Sequence, residues 1–138
     1  MIFIDTNYFV RFFLGDIPAQ YEKAGGLFDE GAKGNQKLFT STIVILEIYW
    51  LFSSFYEKTK PEAIDILRKT LSLNFIEIAE REIITKAVDN YENSSLDFED
   101  CYNIVYAKNN KVEEFLTFDR KLSNFLKKKQ ETPFPPRN

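Results

Sequence analysis

The chain of 138 residues contains no histidine, and that absence removes more chemistry than any other feature. Ser-His-Asp and Cys-His nucleophile relays are excluded, as is histidine-ligated zinc. A single cysteine, Cys101, rules out an internal disulfide and suits a reducing cytosol. Glycine is scarce: there is no P-loop and no G-x-G-x-x-G, only the isolated pair Gly25-Gly26. No apolar run reaches the roughly 18 residues that a spanning helix needs, so no membrane segment is expected. The apolar N-terminal stretch lacks a basic leader and is interrupted by Asp5 and Arg11, so it does not read as a signal peptide.

What is present is acid and bulk. The chain is 44% hydrophobic, with 14 Phe and 7 Tyr, which is enough for one compact domain over residues 1–138 with a large-side-chain core. If the chain is an enzyme, carboxylates must carry the chemistry, and carboxylates favour hard cations such as magnesium or manganese. The net charge of −3 argues weakly against a nucleic-acid partner. Setting aside four clustered acids that a cation would neutralise leaves the remainder slightly basic, compatible with a polyanion.

Read in order, residues 2–4 form a short apolar run, as in a strand buried on both faces. Residues 8–14 read as a short helix stopped by Gly15 and Pro18, and 20–33 as a second. A brief strand at 37–41 leads, through the cap candidates Thr40, Ser41 and Thr42, into a long apolar helix at 43–56. Pro61 suits the first turn of a helix ending at Leu71, 75–79 reads as a strand, and 80–91 as a helix. After a loop at 93–95, Asp97 opens a helix at 98–108, 115–118 reads as a strand, and 119–129 as a last helix. The Pro-rich tail 131–138 cannot be helical and has room for a short edge strand near Phe134. Strands separated by helices predict a three-layer α/β/α sandwich around a parallel sheet of four to five strands.

Glu47 stands out within that frame. Its helical neighbours three and four residues away are Ile43, Val44, Trp50 and Leu51, which predicts a buried carboxylate in need of compensation. Asp5 and Asp119 each follow a predicted strand, so both belong at the sheet edge where open α/β folds place their sites. Asp100 lies in the first turn of its helix. Four bare carboxylates repel one another; a cation can hold them together. Each acid also has a structural reading. Asp5 and Asp119 precede helices and can be N-caps, Asp97-Phe98-Glu99-Asp100 has the form of a capping box, and Glu47 can pair with a buried cation. Thr6, Asn7, Ser41 and Thr117 recur beside the acids, as residues that orient carboxylates would. Arg11, Arg120 and Lys121 are candidates for holding phosphates. Lys127-Lys128-Lys129 is either a backbone contact or a solvated helix end.

Four segments in this order resemble the PIN-domain ribonucleases, and among them the VapC-type toxins of toxin–antitoxin pairs. They are Ile4-Asp5-Thr6-Asn7, the helix from Ser41 through Glu47 to Leu51, Asp97-Phe98-Glu99-Asp100-Cys101, and Leu116-Thr117-Phe118-Asp119-Arg120-Lys121-Leu122. The match departs at Asn103, Ile104 and Tyr106, where the family commonly has small residues. The resemblance implies metal-dependent hydrolysis of RNA phosphodiester bonds. Asp5, Glu47, Asp100 and Asp119 would hold magnesium or manganese, with Asp97 further out. It also implies a homodimer, a neutralising antitoxin protein and a cytoplasmic setting. Two alternatives stay open: a PIN nuclease that is not a toxin, and a non-catalytic PIN-like nucleic-acid-binding module.

Overall fold

The computed structural model describes residues 1–128; the expected end of the last helix, the tail 131–138 and the edge strand near Phe134 lie outside them. The chain forms two compact units, one running from Met1 to Arg81 and the other from Glu82 onward.

The first unit is built on a parallel sheet. Strand β1 (Ile2–Phe3) is followed by helices α1 (Thr6–Leu14) and α2 (Pro18–Ala32). Strand β2 (Leu38–Thr40) leads into α3 (Thr42–Trp50), then come α4 (Lys60–Leu71) and strand β3 (Ile76–Ile78). β2 lies in the middle, with Ile2 opposite Leu38 and Thr40 opposite Ile78. The core takes the apolar stripes of these elements: Phe9 and Val10 from α1, Phe28 from α2, Ile45 and Ile48 from α3, Leu67 from α4 and Ile76 from β3. Each fully buried side chain of this size contributes about 1.5–3 kcal/mol. Gly31 is a glycine because of packing. A Cβ there would lie 2.6 Å from Leu38 Cδ1 and 3.1 Å from Phe75 Cδ2. Arg81 closes the unit by donating to the carbonyls of Leu71, Leu73 and Ile76.

Several expectations need correction here. The first strand is not buried on both faces: Ile4 is buried, but Phe3 is 48% exposed because β1 is an edge strand among the described residues. The long helix expected at 43–56 changes winding at Leu51 and runs as a π-helical turn over Leu51–Phe55. The Tyr56 amide reaches back five residues to the Leu51 carbonyl at 2.8 Å, and Ser53 donates its hydroxyl to the Tyr49 carbonyl at 2.7 Å. Helix α4 begins with a capping box that the reading from Pro61 overlooked, with the Thr59 hydroxyl and the Glu62 carboxylate exchanging backbone partners.

The second unit holds α5 (Arg81–Glu92), α6 (Phe98–Asn109) and α7 (Arg120–Lys128). α5 buries Ile83, Ile84, Ala87, Val88 and Tyr91, one helical stripe, and Tyr91 meets Phe98 of α6 with ring centroids 5.9 Å apart. Cys101 is a buried thiol in α6, as expected of a small core residue. Three strands pair in the sheet among the described residues, and the segment 115–118, expected as a strand, is not one of those three. Leu116 and Phe118 are exposed.

Candidate functional site

In the first unit the parallel strands deliver their helices to a common edge. Asp5 follows β1 and caps α1, its Oδ1 accepting from the Thr6 amide at 2.8 Å. Ser41 follows β2 and caps α3, its hydroxyl accepting from the Val44 amide at 3.3 Å. The strand ends are stitched by Thr40, which donates its hydroxyl to the Ile4 carbonyl at 2.7 Å. This register brings the first residue of α1 against the second turn of α3. The Thr6 hydroxyl donates to Glu47 Oε2 at 2.6 Å, a short, charge-assisted link. Thr6 is buried, so the donor is fixed.

Glu47 itself is exposed, which overturns the expectation of a buried carboxylate. The face of α3 that carries it also carries Ile43, 67% exposed, and Trp50, 55% exposed. The helix is apolar on its outer face as well as its inner one, so apolar neighbours did not mean burial. Glu47 therefore needs no compensating charge to be tolerated, and among the described residues no buried cation pairs with it.

Sequence reasoning missed one more carboxylate at this edge. Glu80 follows β3 as Asp5 follows β1, and its Oε1 accepts from the Thr42 hydroxyl at 2.6 Å. Its backbone lies in the left-handed region at φ 58, where a residue with a side chain is strained. An acid directly after a strand was the signal that could have found it.

In the second unit Asp97, Asp100 and Asp119 form an electrostatic group. Burial pushes the Asp100 carboxyl above the usual carboxylate range, the charges of Asp97 and Asp119 push it further, and Lys121 opposes them. The capping box expected at Asp97 to Asp100 is not made: Asp97 occupies the N-cap of α6, but its side chain forms no cap hydrogen bond. Asp119 is a cap, its Oδ1 accepting from the Leu122 amide at 2.9 Å. Thr117 orients it, its hydroxyl accepting from the Asp119 amide at 3.0 Å. Arg120 and Lys121 are exposed beside it. Arg11, expected to face phosphates, is 3.0 Å from Asp16 and shares its charge with it.

Within neither unit do three Asp, Glu or Cys side chains of the described residues form a ready cation cage. The donors themselves suit a hard cation. They are all carboxylates. In the first unit Asp5 uses only Oδ1 in capping; in the second Asp119 does the same, and the repulsion felt there by Asp100 is what a cation would relieve.

The model of the PIN domain family matches residues 2–128, a span that contains all of these acids. The chain belongs to the PIN domain family. It is also similar to a VapC ribonuclease of Aquifex aeolicus (strain VF5), at 23% identity over 121 residues, 88% of this chain and 89% of that one. No solved structure matches it. The α/β architecture with a parallel sheet agrees with PIN membership. Among the described residues no helix is long and apolar enough to cross a membrane.

Proposed function

We propose that this PIN-domain protein is a magnesium- or manganese-dependent endoribonuclease, acting as one domain in the cytoplasm as the toxin of a toxin–antitoxin pair. The observation that carries the reading is the PIN match itself, whose span of residues 2–128 includes Asp5, Glu47, Asp100 and Asp119. The similarity to a VapC ribonuclease across most of both chains supports RNA as the substrate.

In this reading the four carboxylates hold the cation. When bound, the cation supplies positive charge to the phosphoryl oxygens and makes water more acidic. The other steps belong to the chain. Thr6 fixes the rotamer of Glu47, so that its free oxygen can orient an attacking water and take its proton. Thr117 sets the position of Asp119, and Arg120 and Lys121 draw the RNA backbone toward the acids. Asp97 adds negative charge next to Asp100, which favours cation binding over protonation once the cation is available. The exposed apolar residues Ile43, Trp50 and Phe55 give a protein partner something to cover, which supports both an antitoxin and a second copy of the chain.

The test is expression with and without the product of the adjacent reading frame, followed by sequencing of RNA 5′ ends. New ends should accumulate only when the chain is expressed alone, and Asp5→Asn should abolish them. Identical RNA ends in the wild type and Asp5→Asn would remove the ribonuclease reading.

A further inference from the structure

Helices α1 and α2 enclose a cleft of about 350 Å³ within the first unit, lined by Asn7, Tyr8, Arg11, Gln20, Lys23 and Ala24. The pattern that makes it is helical. Asn7 and Arg11 are four residues apart on α1, with Tyr8 between them, and Gln20 stands three before Lys23 on α2. Ala24 is buried and small, so it forms the floor without filling the space. The capacity is at the lower end of small-ligand sites and suits a single nucleotide.

The lining combines a partly buried aromatic ring with amide and cationic side chains. Tyr8 is partly buried and offers a ring for stacking. Asn7 and Gln20 bring amide donors and acceptors, which can read the edge of a base. Lys23 and Arg11 bring positive charge. Arg11 spends Nη1 on Asp16, at 3.0 and 3.2 Å from its two oxygens, leaving Nε and Nη2 for another acceptor. No ion pair engages Lys23 among the described residues. Asn7 is the second residue of α1, two beyond the N-cap Asp5, so a nucleotide here would flank the candidate site.

We infer that this cleft is a nucleotide subsite for the RNA strand. One unpaired nucleotide flanking the scissile bond places its base against Tyr8, between Asn7 and Gln20, and its phosphate on Lys23 and Arg11. The inference rests on the ribonuclease reading and adds to it a source of sequence preference outside the acids.

The experiment compares the wild type with Lys23→Gln, Gln20→Ala and Tyr8→Leu, using a fluorescent single-stranded RNA in EDTA at several salt concentrations, and cleavage of the same RNA in manganese. Lys23→Gln should weaken binding several-fold and reduce the salt slope by about 0.7, the value for one lost phosphate contact on a single strand. Tyr8→Leu should weaken binding about tenfold with an unchanged salt slope, as expected for lost stacking. Gln20→Ala should alter which base is preferred beside the cleavage point. Lys23 and Gln20 are exposed, so those variants test the cleft even if Tyr8→Leu fails to fold. A wild type that binds and cleaves RNA, alongside folded variants within twofold of it in affinity, slope and base preference, would overturn the subsite alone. A wild type that neither binds nor cleaves RNA would overturn the ribonuclease reading and the subsite with it.

Discussion

Replacing Thr6 with valine isolates the contact that holds Glu47 in the first unit. The substitution keeps the β-branched shape and the backbone amide that Asp5 caps, and removes the hydroxyl that donates to Glu47 at 2.6 Å. A hydrogen bond to a charged acceptor is worth about 1.5–3 kcal/mol when neither partner can turn to water. Thr6 is buried but Glu47 is exposed, and its carboxylate regains water when the hydroxyl is lost. The stability loss should therefore fall below that range, at about 0.5–1.5 kcal/mol. Activity should fall further than stability. A group that orients an active carboxylate typically contributes about 10- to 100-fold. The assay pairs urea unfolding with single-turnover cleavage for the wild type, Thr6→Val and Thr6→Ser, and repeats Thr6→Val in a Glu47→Gln background. Serine should restore most of the rate, and the threonine effect should nearly vanish once Glu47 is gone, because the two act as one unit. Full activity in a folded Thr6→Val protein, or an undiminished effect in the Glu47→Gln background, would refute the reasoning.

Further outcomes follow from single features. Glu47→Gln should change stability by less than about 0.5 kcal/mol, as befits an exposed position, while cleavage collapses; denaturant melts beside rate measurements check both. Asp100 has a raised folded-state pKa, so its contribution to stability is fully present below the ordinary value of 3.8 and is lost as pH rises through the raised one. Asp100→Asn should thus melt higher than the wild type at neutral pH without metal, with the gap closing as the pH is lowered toward 3.8. Arg81→Met removes the guanidinium donor from the Leu71 and Ile76 carbonyls, while Leu73 keeps the Ile76 amide, and should cost about 2 kcal/mol in a chemical melt. Gly31→Ala should cost about 1–2 kcal/mol, since the clash with Leu38 and Phe75 outweighs the gain in helix propensity.

The order of elements and the helix starts were legible because local chemistry sets them. Asp5 and Ser41 are caps before helices and Gly15 ends α1 in the left-handed region, whereas Pro18, read as a stop ahead of a helix at 20–33, opens α2. The candidate acids were legible as residue types, since with no histidine in the chain little else could carry chemistry. Exposure was not legible. Around Glu47 the apolar pattern of α3 has no polar face to mark the outside, and periodicity cannot tell a buried side from an apolar surface. Strand order was not legible either, because a ladder depends on a partner that composition does not specify, and the central place of β2 is set by its neighbours β1 and β3. The Thr6–Glu47 bond joins residues 41 positions apart, a contact created by the register of β1 on β2. Nothing local to either residue encodes it.

The central claim is that acids of a PIN domain bind a divalent cation and cut RNA with it. The most direct measurement is cleavage of a labelled RNA by the purified protein across a manganese titration, for the wild type, Asp5→Asn and Asp100→Asn, with the melting temperature recorded in the same samples. The wild type should gain activity and thermal stability together as manganese rises, by about 2.7 kcal/mol at a hundredfold excess over Kd, while both variants stay inactive and gain little. Cleavage that persists in EDTA, or variants that cut as fast as the wild type, would contradict the account.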